Sequence, residues 1–189
     1  MNSLPKSFYK FLAYFFITFF VCYYGFKIIA GVAVVGGFYS SFIHDYFNIA
    51  SWIRQGLMFS TKLFLSIINV NTTIESEFVL RATPHSGIKL VFGCLGIAVY
   101  SFWIAYIVAS IATIKKKLAW LFIGLFLLWG INVVRIGLVL LALINKWVFP
   151  FGLDQHTWFN IVAYLFIFIL IFFFEKSVKP TLKNNSNES

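Results

Sequence analysis

Three side chains in this sequence have the chemistry of a nucleophile and its helpers, and each sits at or in an apolar run. Cys94 lies in "VFGCLGI", Arg135 in "WGINVVRIGLVLLALIN" and His156 in "DQHTWF". Arg135 is the sole charge between Lys117 and Lys146. An arginine in hydrocarbon is costly, so one placed there calls for a partner or a task. A thiol is a weak nucleophile until it becomes a thiolate, and a neighbouring cation or imidazole favours that form. In such a trio His156 takes the thiol proton. Arg135 stabilises the thiolate, or the oxyanion that forms when sulfur attacks a carbonyl. These are the residue types of a cysteine acyl transferase.

Other residues frame the trio. Asn132 precedes Arg135 by three positions and shares its helical face; it orients Arg135 or satisfies its hydrogen bonds. Asn132 and Asp154 are both candidates for orienting His156. Gly93 and Gly96 flank Cys94, where small residues allow close helix approach or let a substrate backbone near the thiol. His85, in the turn-like "TPHSG", is the rival base. His44, beside Asp45, reads as an interface residue, and Cys22, beside Tyr23 and Tyr24, as a packing residue. There is no H-E-x-x-H and no C-x-x-C, so neither a metal site, nor a cofactor, nor a thioredoxin-like pair is expected.

The elements that carry these residues follow from composition. The chain has 189 residues, 61% of them hydrophobic and 11% charged, with 25 Phe. That is too apolar for an ordinary soluble domain. Leu90–Ile114, Leu118–Val134 and Thr157–Phe174 carry no charge, and Phe11–Phe26 is nearly as apolar. A helix needs roughly 20 apolar residues to cross a bilayer. The expected fold is an all-α integral membrane protein with about four transmembrane helices, at about 9–30, 91–113, 118–144 and 157–174. The first run lacks a clean A-x-A cleavage site and reads as an uncleaved helix. Residues 1–175 form one polytopic membrane domain, and 176–189 a disordered cytoplasmic tail.

The net charge of +9 comes from lysines at the ends of apolar runs. They orient the chain in lipid and do not indicate nucleic acid. Lys115, Lys116 and Lys117 read as a cytoplasmic loop, and Lys176, Lys179 and Lys183 as a cytoplasmic tail. Lys6 and Lys10 then also lie inside. Between the first two spans, Ser51, Gln55, Lys62, Ser66 and Asn69 draw one polar stripe on a helix over 48–69. That helix lies on or dips into the outer face, although a spanning alternative stays open. A short β-hairpin around "TPHSG" follows.

Depth then brings the trio together. Arg135 is 17 residues past Leu118, about 26 Å along a helix through a hydrocarbon core about 30 Å thick. It therefore sits near the outer surface. Cys94 and His156 stand at the outer ends of their own spans.

"GCLGI" around Cys94, "NVVRI" around Arg135 and the histidine opening the last span resemble the exosortase/archaeosortase family. The resemblance covers about Thr61 to Phe174 and is that of a compact bacterial member. It implies a membrane-embedded cysteine protease or transpeptidase, in the bacterial inner membrane, with its site on the extracytoplasmic side. Carried over, Cys94 is the nucleophile, Arg135 the electrostatic stabiliser and His156 the base. The implied partners are exported proteins ending in a short sorting motif, a transmembrane helix and a basic cluster. Leu95 stands where the family usually has Ser, so any role of that hydroxyl is absent. The competing reading is a non-enzymatic carrier or scaffold in which Arg135 binds an anion or a partner helix. A carrier more often shows internal repeats or broken helices at the midplane, and neither is evident.

Overall fold

The computed structural model describes residues 6–33, 39–82, 87–147 and 155–185, with the side chains of these except 155, 156, 159 and 179–185. They are mostly helical, with one small sheet. The order is α1 (Lys6–Val32), α2 (Ser41–Tyr46), α3 (Ile49–Ile67), β1 (Thr72–Ser76), β2 (Val79–Ala82) and β3 (Gly87–Lys89). A 3-10 turn (Phe92–Leu95) then leads into α4 (Ile97–Ala109), α5 (Ile114–Ile144) and α6 (Gln155–Asn185). Segments of α1, α5 and α6 are long and apolar enough to cross a membrane. The fold is thus compatible with a multi-pass membrane protein.

The second expected span departs from 91–113. Its helix α4 has 13 residues, about 20 Å of rise against a core of about 30 Å. Gly96 is the cause. It adopts φ 74° at the end of the 3-10 turn, a left-handed conformation that only glycine takes without strain. The helix must start anew after it. The lysines also differ from expectation. Lys115, Lys116 and Lys117 are not a loop but lie in the first turn of α5, and the link between α4 and α5 is 110–113. Lys117 Nζ instead donates to the Val108 carbonyl at the end of α4, at 2.8 Å, where a helix terminus favours a cation. Finally, α6 stays helical to Asn185, through much of the stretch expected to be a disordered tail.

The chain divides into two compact units. The first comprises Met1–Gly25, Ala98–Leu128 and Tyr164–Ser189. Its centre is aromatic. Phe174 and Trp103 are fully buried, and Trp103, Tyr106 and Trp120 each meet Phe174 edge-to-face, with centroids 6.5, 5.9 and 6.0 Å away. Edge-on contacts suit the ring quadrupoles. Tyr106 donates to Glu175 at 2.7 Å, and Lys116 Nζ donates to the Ser177 carbonyl at 2.6 Å. Along α1, Phe11, Phe15, Phe19 and Tyr23 stack at four-residue spacing. Two of this ladder's rings meet α4, Phe15 on Phe102 and Phe11 on Tyr106.

The second unit comprises Phe26–Ile97 and Trp129–Ala163. Its organiser is α3, which two asparagines delimit. Asn48 caps the start, its Oδ1 accepting from Ser51 N at 3.1 Å, the usual role of a short polar residue there. Asn69 takes φ 58° beyond the end, and Val70 N reaches back to the Leu65 carbonyl at 3.0 Å, a Schellman closure. Ala50, Ser51, Arg54, Leu57, Met58, Thr61 and Leu65 form the buried face of α3. Gln55, Lys62, Ser66 and Asn69 of the expected polar stripe are exposed, but Ser51 is buried. Beside that stripe Trp52, Phe59, Leu63 and Ile67 leave a second, apolar row uncovered.

The expected hairpin is a three-stranded antiparallel sheet in the order β1-β2-β3. The extra strand arises from a tight link through Glu77 and Phe78, which carries none of the Gly, Asn or Pro signals of a turn. "TPHS" falls between β2 and β3, outside the described residues. Arg54 lies over the Phe78 ring, 4.2 Å from its centroid, a cation–π contact that ties α3 to the sheet.

Small residues set the helix spacings. A Cβ at Gly124 of α5 would stand 2.0 Å from Nε1 of the buried Trp103 indole, and a close-packed interior cannot absorb that. Gly124→Ala is therefore expected to destabilise the protein by about 1–3 kcal/mol. Gly130→Ala, with no atom within 4 Å of the new Cβ, should be neutral or stabilising, since alanine favours a helix. Thermal unfolding in detergent compares the two, and equal melting temperatures would refute this packing.

Candidate active site

The second unit holds a cavity of about 270 Å³ lined by Gly87, Ile88, Lys89, Leu90, Cys94, Arg135, Ile136, Val139 and Leu143. Three elements build it: strand β3 and its exit, the 3-10 turn, and the C-terminal half of α5. Each is placed for a local reason. The turn closes through Cys94 N, which donates to the Val91 carbonyl at 2.9 Å, and ends at Gly96. Gly56 and Gly137 let α3 and α5 come close. A Cβ on Gly56 would lie 3.0 Å from the Trp129 ring, and one on Gly137 would lie 2.8 Å from the Phe64 ring. Trp129 Nε1 adds a donation to Ser60 Oγ at 3.4 Å.

Cys94 and Arg135 thus border one cavity, joined by Asn132. The Asn132 Nδ2 group donates to the Cys94 carbonyl at 3.1 Å, and its Oδ1 accepts from Arg135 Nη1 at 3.4 Å. Asn132 is buried, while Cys94 and Arg135 are half-buried. One amide therefore fixes the backbone of the cysteine and the guanidinium. Among the described residues no carboxylate pairs with Arg135. Its charge faces a space whose other walls are largely aliphatic, with Lys89 as a second cation at the rim.

The remaining candidates fall as follows. Gly96 is explained by its backbone conformation. Gly93 has no described atom within 4 Å of a would-be Cβ, so among the described residues no helix packs against it. His156 lies in the first turn of α6 by its backbone, and its side chain is outside those described. His85 and Asp154 lie outside the described residues altogether. His44 is exposed and bonded to Asp45 at 2.9 Å. Cys22 sits on α1, half-buried. The described residues hold no group of three or more His, Cys, Asp or Glu suited to a metal. The expected hairpin around "TPHSG" includes the arm that is β3; what sequence reasoning missed is that this arm lines the cavity, since a strand pattern does not say what its edge faces.

Comparison with protein-family models, with characterised proteins and with solved structures gives no match. The chemistry of the cavity has to speak for itself. It offers a thiol, a guanidinium fork that no carboxylate among the described residues neutralises, and largely apolar walls. Such a combination suits attack on a carbonyl followed by stabilisation of the oxygen that becomes negative.

If Asn132 holds the two halves together, Asn132→Leu leaves the Cys94 carbonyl and Arg135 without it. A buried polar group stripped of its partner costs about 1–3 kcal/mol. Asn132→Leu should accordingly lower the melting temperature in detergent, and Asn132→Asp should lower it less, because a carboxylate still accepts from Arg135. Unchanged stability in Asn132→Leu would show that the bridge contributes nothing.

Proposed function

We propose that the protein is a membrane-embedded cysteine protease or transpeptidase of the exosortase/archaeosortase type. It cleaves the C-terminal sorting signal of exported proteins at the outer face of a bacterial inner membrane. The observation that supports this most is the single cavity bordered by Cys94 and Arg135 and braced by Asn132. In this reading both ends of the chain are cytoplasmic, and α3 rests on the outer face with Trp52, Phe59, Leu63 and Ile67 in lipid. The lysines that open α5 lie on the inner side, so the cavity opens outward.

The reaction has two halves. His156 takes the thiol proton, and the sulfur of Cys94 attacks the scissile carbonyl. Arg135 holds the resulting oxyanion, whose planar fork of donors matches a localised negative oxygen. Collapse breaks the C–N bond, and the amine leaves with the proton from His156. The thioester on Cys94 is then resolved by water, giving hydrolysis, or by an acceptor amine or hydroxyl, giving transfer. Asn132 takes no part in bond making; it keeps the guanidinium aimed at the carbonyl carried by Cys94.

The test is turnover per folded molecule, read as the mature C-termini of membrane proteins by mass spectrometry. Cys94→Ala should abolish processing, and Cys22→Ala should leave it unchanged. Arg135→Lys keeps the charge but loses the fork, and should cost about 100-fold, the usual effect of removing one oxyanion donor. Arg135→Leu should be inactive yet insert at least as well, since no charge opposes burial. Full turnover in Arg135→Leu would exclude the catalytic role and favour a scaffold or carrier.

A further inference from the structure

We propose that the substrate docks as an added strand on the free edge of β3, its main chain paired with Gly87 and Lys89, so that its scissile carbonyl reaches Cys94. The inference rests on the peptide-cleaving reading above and goes beyond it by stating how the substrate chain is held.

The cavity touches four consecutive residues, Gly87 to Leu90. Side chains alternate across a strand, so a cavity that meets four in succession runs along the edge and not over one face. The order β1-β2-β3 makes β3 an outer strand. Its inner side is settled by register. Leu90 N donates to the Phe78 carbonyl at 2.7 Å, and Ile88 stands opposite Leu80. In an antiparallel pair the bonded positions alternate. Ile88 and Leu90 therefore turn their backbone groups toward β2, and Gly87 and Lys89 turn theirs outward. The Lys89 carbonyl is taken by Val91 N at 3.1 Å. Among the described residues, that leaves the Gly87 N–H and carbonyl and the Lys89 N–H unpaired and projecting from the edge.

The chain leads from this edge directly into the turn that carries Cys94, so a peptide seated on β3 is delivered to the thiol. Arg135 stands at the same cavity to receive the carbonyl oxygen. Gly87 also has a reason to be glycine: a Cβ there would lie 3.0 Å from the Leu80 carbonyl oxygen, so a larger residue would push the edge strand off its neighbour. The physical need is on the substrate's side. A peptide drawn out of water near a membrane surface must satisfy its own N–H and C=O groups. A helix does so internally, but a peptide bond inside a helix is shielded from attack. An extended segment borrowing a sheet edge meets both demands, and strand addition is a common way to hold a peptide. Lys89 has a humbler task as well, since a charge on an exposed edge discourages pairing between copies.

The experiment uses the full chain in detergent. The probe is the membrane fraction of cells carrying Cys94→Ala, which holds the uncut precursors. Lys89→Pro removes the outward N–H while leaving the pairing of Ile88 and Leu90 to β2, and proline is accepted on an edge when its nitrogen faces out. We expect kcat/KM to fall about tenfold, the effect of one hydrogen bond at the upper end of its usual worth. Lys89→Ala, which keeps the N–H and discards only the charge, should fall by at least threefold less. Equal losses in the two variants, or a wild-type rate in Lys89→Pro, would overturn the docking. Should Lys89→Pro not fold, amide exchange in the Cys94→Ala protein decides: adding precursor purified from those membranes should slow Gly87 and Lys89 about tenfold, and unchanged exchange at both overturns the proposal. If the wild-type protein cuts nothing in these membranes, the peptide-cleaving reading falls first, and the docking with it.

Discussion

One side-chain amide carries the arrangement. Asn132 gives its hydrogen to the Cys94 carbonyl and its oxygen to Arg135. Because asparagine is donor and acceptor at once, it can couple a backbone carbonyl to a cation that would otherwise compete for the same oxygen. An aspartate there would accept from Arg135 but leave the Cys94 carbonyl unserved. A leucine would serve neither. The spacing of three residues between Asn132 and Arg135 lets both act from one helical face, so the helix itself sets the geometry and no loop is asked to hold it.

That bridge depends in turn on where α5 lies. Gly56 admits the Trp129 ring and Gly137 admits the Phe64 ring, so α3 and α5 approach each other through small residues. On the other side of the cavity, Gly96 ends the turn of Cys94 and starts α4 afresh. The cysteine is thereby carried on a tight turn and not on the flank of a long helix, where its backbone carbonyl would be bonded within the helix and closed to Asn132. A break in an apolar run and the half-buried cysteine on the turn beside it are two consequences of one glycine.

Much of this was legible from residue types. A lone arginine in a long apolar run, with asparagine three positions before it, is readable because burying a charge is costly enough to demand an explanation. The bounds of α3 were also readable, as a polar stripe between two asparagines. Other features were hidden for definite reasons. The shortening of α4 turns on the backbone angle of Gly96, and the same glycine could equally have marked close packing. The lysines that open α5 read as a loop because three charges in succession resemble one, yet lysine is a good helix former and its long stem reaches the carbonyls that end α4. The extra strand β1 was hidden, since the link at Glu77 and Phe78 has no turn chemistry, and the arm that is β3 gave no sign in the sequence that it lines the cavity.

The central claim is that Cys94 forms the bond to the substrate. It can be met directly by trapping the protein during turnover in its own membranes, at acid pH to preserve thioesters, and mapping its peptides by mass spectrometry. The account predicts an acyl adduct on the peptide containing Cys94, released by neutral hydroxylamine, absent from Cys94→Ala, and ending in the same residue as the mature C-termini of the processed proteins. Continued processing with no adduct on Cys94, or an adduct confined to Cys22, would contradict it.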